Sequence, residues 1–160
     1  MDQFIDRRAL TMLQNGLIAA ARKKYTEALT EFQASANLKP TPEAYTYWGW
    51  MEHQIGNTSE AIRLCHHSIY LDPEFGNPYN DIGSYLVFQG KPDEAMDWFH
   101  KAIRANRYQP RQYPHLNLGR IYFHKKEYGL ALYHFRKASD YCPEDEGIRQ
   151  IIDQVLDRIC

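Results

Sequence analysis

Apolar side chains recur at helical spacing along this chain, in short segments separated by polar residues and prolines. Between residues 77 and 103 the spacing predicts two helices, because positions three or four residues apart lie on the same face of a helix. The first apolar face holds Tyr79, Ile82 and Leu86, and the second holds Met96, Phe99 and Ile103. The pattern therefore predicts a helix pair, with Pro92 in the first turn of the second helix.

A glycine lies in the middle of the first of these helices, although glycine inside a helix costs roughly 0.5–1 kcal/mol relative to alanine. An alanine follows it twelve residues later, and the same spacing occurs four times: Gly16 with Ala28, Gly49 with Ala61, Gly83 with Ala95, and Gly119 with Ala131. Successive glycines are 33, 34 and 36 residues apart, and a period in this range indicates a repeat array. Helices approach closely where side chains are small, so we expect each glycine and alanine to meet where the two helices cross.

Two further positions recur at a constant distance from the alanine in every unit. Four residues after the alanines come Phe32, Cys65, Phe99 and Phe135, and twelve residues after them come Pro40, Pro73, Arg107 and Pro143. Proline cannot extend a helix, so three of the four units end in a stop signal. Each unit is therefore predicted to be two helices followed by a stop.

These positions resemble the tetratricopeptide repeat, whose pattern runs aromatic, Leu-Gly, Tyr, then Ala, Phe, Ala and a closing Pro. The third unit matches it as "YNDIGSYL" and "DEAMDWFHKAI", and the fourth as "HLNLGRIY" and "LALYHFRKAS". The departures are Cys65, Arg107, Ala19 and Glu52. The resemblance covers about residues 9–145. It implies an all-α fold, a right-handed superhelical solenoid of four helix pairs, with units at about 9–41, 42–75, 76–111 and 112–145 of a single repeat domain spanning 1–160.

Residues 146–159, "EGIRQIIDQVLDRI", have the pattern of a ninth helix. One face holds Ile148, Ile151, Ile152, Val155, Leu156 and Ile159, and charged residues lie opposite. A solenoid needs such a capping helix because its last repeat would otherwise expose an apolar face.

Composition and charge narrow the class of protein. With 160 residues, 44% of them apolar, and no run near the ~18 apolar residues of a membrane span, we expect one soluble domain. The first residues lack the basic start and apolar core of a secretory signal, and three cysteines fit reduced thiols, so we expect a cytoplasmic protein. A net charge of −1 argues against binding to nucleic acid or to an anionic membrane.

One local basic cluster departs from this balance. Lys101, Arg104, Arg107 and Arg111 follow one another without an acidic residue between them. They are either the solvated end of a helix, where cations are favoured, or a site for an anion or an acidic partner.

Signals for catalysis are scarce, so we expect no enzyme, no cofactor and no metal. None of the GxSxG, HExxH, P-loop or GxGxxG motifs is present. "CHH" at residues 65–67 contains metal-ligand types, but consecutive helical residues point about 100° apart and cannot converge on one ion. Cys65 occupies the aromatic position of its unit and is predicted to fill the core.

The resemblance implies that the first helix of each unit lines a concave groove that binds protein segments. The corresponding positions hold Tyr47, Trp50, His53 and Gln54 in the second unit, Asn77, Asn80, Asp81, Ser84 and Phe88 in the third, and Tyr113, Asn117, Arg120, Phe123 and His124 in the fourth. Aromatic anchors among hydrogen-bonding groups suit an extended or helical peptide. Tyr47 and Tyr113 could equally pack against the neighbouring repeat, whereas Trp50, Phe88 and Phe123 favour the groove.

Relatives that bind the C-terminal carboxylate of heat-shock chaperones carry lysine and asparagine beside the glycine of their first unit. Here those positions hold Leu13 and Leu17, or Thr46 and Trp50 if the second unit is taken as the first, so that clamp is absent. The function expected is a non-enzymatic protein–protein interaction module or adaptor. The alternatives are a secretion-type cytosolic chaperone that shields an apolar client segment, and a regulatory subunit of an enzyme complex.

The first predicted helix, within residues 9–21, is apolar on two faces. Met12 and Ala19 lie on the core stripe, but Leu10, Leu13, Leu17 and Ala20 lie on the groove side. A second apolar face requires a cover. We therefore expect either a homodimer formed through this helix or occlusion of the face by Phe4 and Ile5.

Overall fold

The structure, a computed structural model, describes residues 1–160 and contains nine α-helices. They are α1 (Asp2–Ala21), α2 (Tyr25–Leu38), α3 (Pro42–Gln54), α4 (Thr58–Leu71), α5 (Asn77–Phe88), α6 (Pro92–Arg104), α7 (Gln112–His124), α8 (Tyr128–Tyr141) and α9 (Glu146–Ile159). None of these helices combines the length and the apolarity that a bilayer crossing requires.

Each helix packs mainly against its neighbours in sequence, which makes the molecule a helical solenoid. Three-residue turns separate α1 from α2, α3 from α4, α5 from α6 and α7 from α8, and such short turns join antiparallel helices. We call α1, α3, α5 and α7 the first helices and α2, α4, α6 and α8 the second helices. The predicted all-α solenoid of four helix pairs and a capping helix is confirmed.

Glycine inside the first helices makes room for an aromatic ring rather than for alanine. A Cβ atom added to Gly83 would lie 2.6 Å from the ring of Phe99, and one added to Gly16 would lie 2.5 Å from the ring of Phe32. Gly119 faces Phe135 in the same way. In these three pairs the ring four residues after the alanine is therefore the nearest neighbour of the glycine.

The second pair is the exception, and its sequence explains why. Cys65 replaces the aromatic residue there, so no ring reaches Gly49. The nearest atom to an added Cβ is instead the carbonyl oxygen of Ala61 at 3.0 Å, followed by Cβ of Leu64 at 3.4 Å. Cys65 is fully buried, as predicted, and burial raises the pKa of its thiol well above the usual value.

The segment between α6 and α7, here called the 105–111 loop, folds back on the start of α5. Arg107 forms an isolated parallel β-bridge with Phe75, and Tyr108 is buried with its Cβ in the space beside Gly76. Arg107 also donates to Asp72 at 2.6 Å and to Glu43 at 2.5 Å. It therefore replaces the closing proline of its unit with a pair of ion contacts.

These contacts divide the predicted basic cluster. α6 ends at Arg104, so only Lys101 and Arg104 lie at the C-terminal end of a helix, where cations are favoured. Arg111 donates to the backbone carbonyls of Ala105 and Asn106 and thereby holds the 105–111 loop. The four cations consequently do not form one site.

The two end helices differ in how well they are covered. α9 buries Ile148 and Val155 against the core of the fourth pair, which supports its role as a cap. α1 begins at Asp2 rather than near Ala9, and it runs straight through Phe4, whose side chain is 69% exposed. Phe4 therefore does not fold back over the helix, so the predicted occlusion of the apolar face was wrong.

One residue of α1 also lies on the other side from that expected. Ala20 was assigned to the groove side, but it is buried with Ala28 and Phe32 in the core of the first pair. Leu10 remains 53% exposed and Leu17 remains exposed, as the pattern predicted.

Candidate functional site

The first helices form the concave side of the solenoid and carry two cavities. α3 packs against α5, and α5 against α7, more closely than successive second helices approach each other, so the first helices lie inside the curve. The larger cavity, of about 770 Å³, lies between α5, α6 and α7, with Asp93 of α6 among its lining residues, and it is called the α5–α7 cavity. The smaller, of about 200 Å³, is bounded by α3, α5, the 105–111 loop and the first turn of α7, and it is called the α3–α5 cavity.

Helix geometry determines which side chains reach these cavities. The repeat glycines face the second helices, and a residue two positions earlier lies about 200° further round the helix, on the opposite side. Tyr47, Asp81 and Asn117 occupy that position in successive units, and all three line a cavity. Because each repeat glycine faces the second helix of its pair, the residue two positions before it points to the concave side.

Ten of the fourteen predicted groove residues line the two cavities. Ser84, Asn117, Arg120 and His124 line the α5–α7 cavity, and Tyr47, Trp50, Asn77, Asn80, Asp81 and Tyr113 line the α3–α5 cavity. The structure brings these residues to one face, and their part in binding stays a prediction.

A row of polar side chains connects the two cavities. Asn117 donates from Nδ2 to Oδ1 of Asn80 at 3.1 Å, and the guanidinium of Arg120 donates to Oδ1 of Asn117 at 3.3 Å. Ser84 donates to the backbone oxygen of Asn80 at 3.0 Å. Arg120 is exposed and has five N–H donors, so most of them remain able to hold a carboxylate.

The α3–α5 cavity is aromatic and contains one carboxylate. Asp81 lies among Tyr47, Trp50 and Tyr113, with Tyr108 at the wall formed by the loop. Burial raises the pKa of Asp81 to about 7, while a hydrogen bond from its neighbour Asn80 opposes the shift. Burial, together with the charge of Asp81, also raises the pKa of Tyr108. The cavity thus contains a carboxylate whose charged form is disfavoured by burial.

His53 and Phe88 pack together at the edge of the concave face. The ring of His53 lies 4.5 Å from Tyr85 and 4.9 Å from Phe88, and its Nδ1 is 3.1 Å from the hydroxyl of Thr58. Burial lowers the pKa of His53. Phe88 is nevertheless 71% exposed, and Gln54 at the end of α3 is exposed as well. Phe88 is therefore the most accessible of the three predicted aromatic anchors.

Phe123 and Trp50 have different surroundings. Phe123 packs against the ring of Tyr128 at 5.5 Å and against the core of the last pair, beside a shallow cavity formed with α9. Trp50 is 36% exposed and lines the α3–α5 cavity. Phe123 thus contributes to internal packing, and its role as an anchor stays a prediction.

Sequence analysis missed three residues that line the α3–α5 cavity. Thr46 reaches it from α3, and Tyr108 and Pro110 reach it from the 105–111 loop. The available signal was the spacing of 36 residues between Gly83 and Gly119, which is longer than the other two and indicates extra residues between α6 and α7.

The two histidines of the "CHH" segment point to different neighbours. The ring of His66 lies 5.3 Å from Trp98, and that of His67 lies 4.1 Å from Tyr45, so the two imidazoles pack against different aromatic side chains. No group of three or more His, Cys, Asp or Glu side chains is arranged to hold a metal.

Comparison with known proteins agrees with the repeat pattern. The family model of the tetratricopeptide repeat matches residues 80–146. The small glutamine-rich tetratricopeptide repeat-containing protein 2 of Saccharomyces cerevisiae is 25% identical over 97 residues, which are 60% of this chain and 28% of that protein. The match therefore covers less than a third of the length of this relative.

Solved structures share the fold at low sequence identity. A structure of Pseudomonas aeruginosa pilF superimposes with a TM-score of 0.87 and 17% identity, over 96% of this chain and 70% of that one. A chain of the APC/C hetero-tetramer Cut9-Hcn1 superimposes with a TM-score of 0.79 and 18% identity, over 99% of this chain and 32% of that one. The four sequence repeats and the four helix pairs are similar to the tetratricopeptide repeat, whose family model matches part of the chain.

Proposed function

We propose that this chain is a non-enzymatic adaptor that binds an extended or helical segment of a partner protein along its concave face. Tetratricopeptide repeat proteins bind protein partners, which gives the general class. One observation supports binding along the concave face. Two cavities lie on that face, and the hydrogen bond from Asn117 to Asn80 connects them. A segment lying across α3, α5 and α7 would contact both.

The chemistry of this face suits a peptide. Trp50 and Phe88 offer exposed rings, and burying apolar surface is worth about 25 cal/mol per Å². Ser84 and Asn117 can pair with backbone groups of the bound segment, and Arg120 can hold a carboxylate in its planar fork. The proposed ligand therefore carries apolar side chains and at least one acidic residue.

A peptide library displayed on phage tests this proposal, and calorimetry with a selected peptide locates the site. We expect Trp50→Ala, Phe88→Ala and Arg120→Ala to melt like the wild type and to weaken binding by about 30-fold or more, as truncated hot spots do. Tyr70→Ala is the matched control, because Tyr70 is an exposed aromatic residue on a second helix. If all three variants bind as tightly as Tyr70→Ala does, the site lies elsewhere.

The exposed strip of α1 supports a second proposal, self-association. Leu10 and Leu17 lie seven residues apart on one helical face, and Leu13 is only partly buried beside them. A second copy of α1 could cover this strip, which the rest of the chain leaves open.

A further inference from the structure

Asp81 is a carboxylate without a cation beside it. No ion pair in the structure includes it, and no lysine or arginine affects its titration. Its charge instead acts on groups that are neutral at pH 7, which are Tyr47 of α3, Cys65 of α4, Tyr85 of α5 and Tyr108 of the loop. A charge in such surroundings lacks the compensation that a buried carboxylate normally has.

A second acceptor in the same cavity is also unpaired. Oδ1 of Asn77 is buried and has no hydrogen-bond partner. The orientation of this amide is fixed, because its Nδ2 donates to the backbone oxygen of Gln109 at 3.1 Å. Buried acceptors are normally paired, and Asn77 is one of the residues that line the cavity, so a donor entering the cavity could complete the pairing of this oxygen.

The walls of the cavity favour a cationic donor. Tyr47, Trp50, Tyr108 and Tyr113 surround the space, and aromatic faces attract ammonium and guanidinium groups. A volume of about 200 Å³ accommodates one long side chain rather than a folded ligand. Anions are disfavoured by the charge of Asp81. A bare Ca²⁺ ion would need six or more oxygen ligands, more than one carboxylate and one amide supply.

We propose that the α3–α5 cavity binds the cationic end of a lysine or arginine side chain from the partner segment, with the Asp81 carboxylate and Asn77 Oδ1 as hydrogen-bond acceptors. This inference rests on the proposed function, because it assigns one side chain of the segment that the groove binds. Arg120 lies on the other side of the hydrogen bond from Asn117 to Asn80. The segment would therefore present a basic residue to α3 and α5 and an acidic residue to α7.

A small probe tests the pocket independently of any peptide. We would titrate the full chain with N-acetyl-lysine methylamide, N-acetyl-arginine methylamide and, as the uncharged control, N-acetyl-norleucine methylamide. Chemical shifts of the Trp50 indole and of the Asp81 carboxyl carbon report binding. We expect a basic probe to bind at least tenfold more tightly than norleucine and to lower the pKa of Asp81 from about 7, because a nearby cation stabilises the carboxylate.

Two variants locate the effect. Asp81→Asn keeps the shape and removes the charge, and we expect it to abolish the preference for the basic probes. Asp153→Asn removes a charge from the exposed side of α9 and should leave that preference unchanged. If no basic probe outbinds norleucine, or if the preference survives in Asp81→Asn, the inference is wrong. Preference for lysine over arginine, or the reverse, decides which side chain the pocket takes.

Peptide selection separates failure of this inference from failure of the proposed function. Wild-type protein should select peptides with lysine or arginine at one fixed position, and Asp81→Asn should select peptides without it. Peptides selected by the wild type with no basic preference would overturn the inference and leave the adaptor function standing. Selection of no peptide at all would overturn the proposed function, while the small probes would still decide what the pocket binds.

Discussion

The Nδ1 atoms of His115 and His134 lie 3.1 Å apart in the interior of the fourth helix pair. One of them must donate and the other accept, which is possible only while at least one ring is neutral. Burial, with the charges of His115 and His100, lowers the pKa of His134 to about 4. Burial also lowers the pKa of His115. The charges of Lys137 and His100 lower it further, whereas the charge of Asp140 raises it. The pair is therefore neutral in the folded protein at pH 7.

This pair predicts a loss of stability in mild acid. In the unfolded chain a histidine titrates near pH 6.5, so between about pH 6.5 and 4 the unfolded state binds more protons than the folded state. The stabilisation is present above pH 6.5 and is lost as the pH falls towards 4. We expect the melting temperature to fall over this range, and to fall less in His134→Gln. His124→Gln, a change at an exposed histidine of α7, should follow the wild type. Equal slopes for all three proteins would contradict this account.

The contact between Gly83 and Phe99 predicts the effect of adding one methyl group. In Gly83→Ala the new Cβ would lie 2.6 Å from a fully buried ring, and such overpacking costs about 1–3 kcal/mol. Gly129→Ala is the control, since no atom lies within 4 Å of its added Cβ and alanine favours the helix by a few tenths of a kcal/mol or more. Urea denaturation should show opposite signs for the two variants. Two stabilised variants would show that the ring has room to move.

The turns inside the four pairs predict a gain in stability. Lys23, Gly56, Gly90 and Lys126 hold equivalent positions, and each has a positive φ, of 59°, 96°, 78° and 62°. For a residue with a Cβ, this left-handed conformation costs about 1–2 kcal/mol of conformational free energy. We expect Lys126→Gly to raise the free energy of unfolding by up to about 1 kcal/mol, and Gly56→Ala to lower it by a similar amount. A destabilised Lys126→Gly would mean that the lysine side chain compensates for its backbone.

Removal of the capping helix should expose the end of the solenoid. Deleting residues 146–160 uncovers Leu116 and Phe135, which pack against Ile148 and Val155. We expect aggregation or a lower, broader melting transition, because repeat stability is a sum of unit and interface contributions. The milder change Val155→Asp should act in the same direction by burying an unpaired charge. A shortened chain that stays monomeric and melts like the wild type would exclude a capping role.

Self-association through α1 predicts a mass that depends on protein concentration. Light scattering should show dimers of the wild type, and Leu10→Glu with Leu17→Glu should shift the mass to that of a monomer. Leu130→Glu is the matched control, because Leu130 is an exposed leucine on α8. A wild-type chain that is monomeric at every concentration would exclude the dimer.

The fold could be predicted because one contact recurs in register. The glycine and the turn appear in every unit, and the ring four residues after the alanine appears in three units, with Cys65 in its place in the second. The length of α1 could not be predicted, since residues 2–8 have no apolar periodicity and their helix gains little from packing. The position of Ala20 was also missed, because alanine fits a core stripe and a groove equally well in a pattern.

The candidate site could be predicted only for residues whose direction follows from their position in the repeat. The repeat pattern placed Tyr47, Asp81 and Asn117 on the concave face. It did not show that Tyr108 would close one cavity, because that depends on an irregular loop packing beside Gly76. The unusual titration of Asp81 likewise arises from surroundings assembled by several separate elements, and no single segment of sequence contains them.

The contacts of Arg107 join the second and third helix pairs. In a linear array each pair contacts only its neighbours, so pairs can fray from either end. Arg107 lies after the third pair, yet it bonds to Glu43 at the start of the second and to Asp72 between them, while stacking 4.3 Å from the centre of the Phe75 ring. Because these contacts join the second and third pairs, we expect the backbone amides of α3 to α6 to exchange with solvent later than those of α1 and α9. The α3–α5 cavity is lined by α3 and α5 together with Tyr108 and Tyr113, so it lies away from both ends of the solenoid and should be little affected when they open.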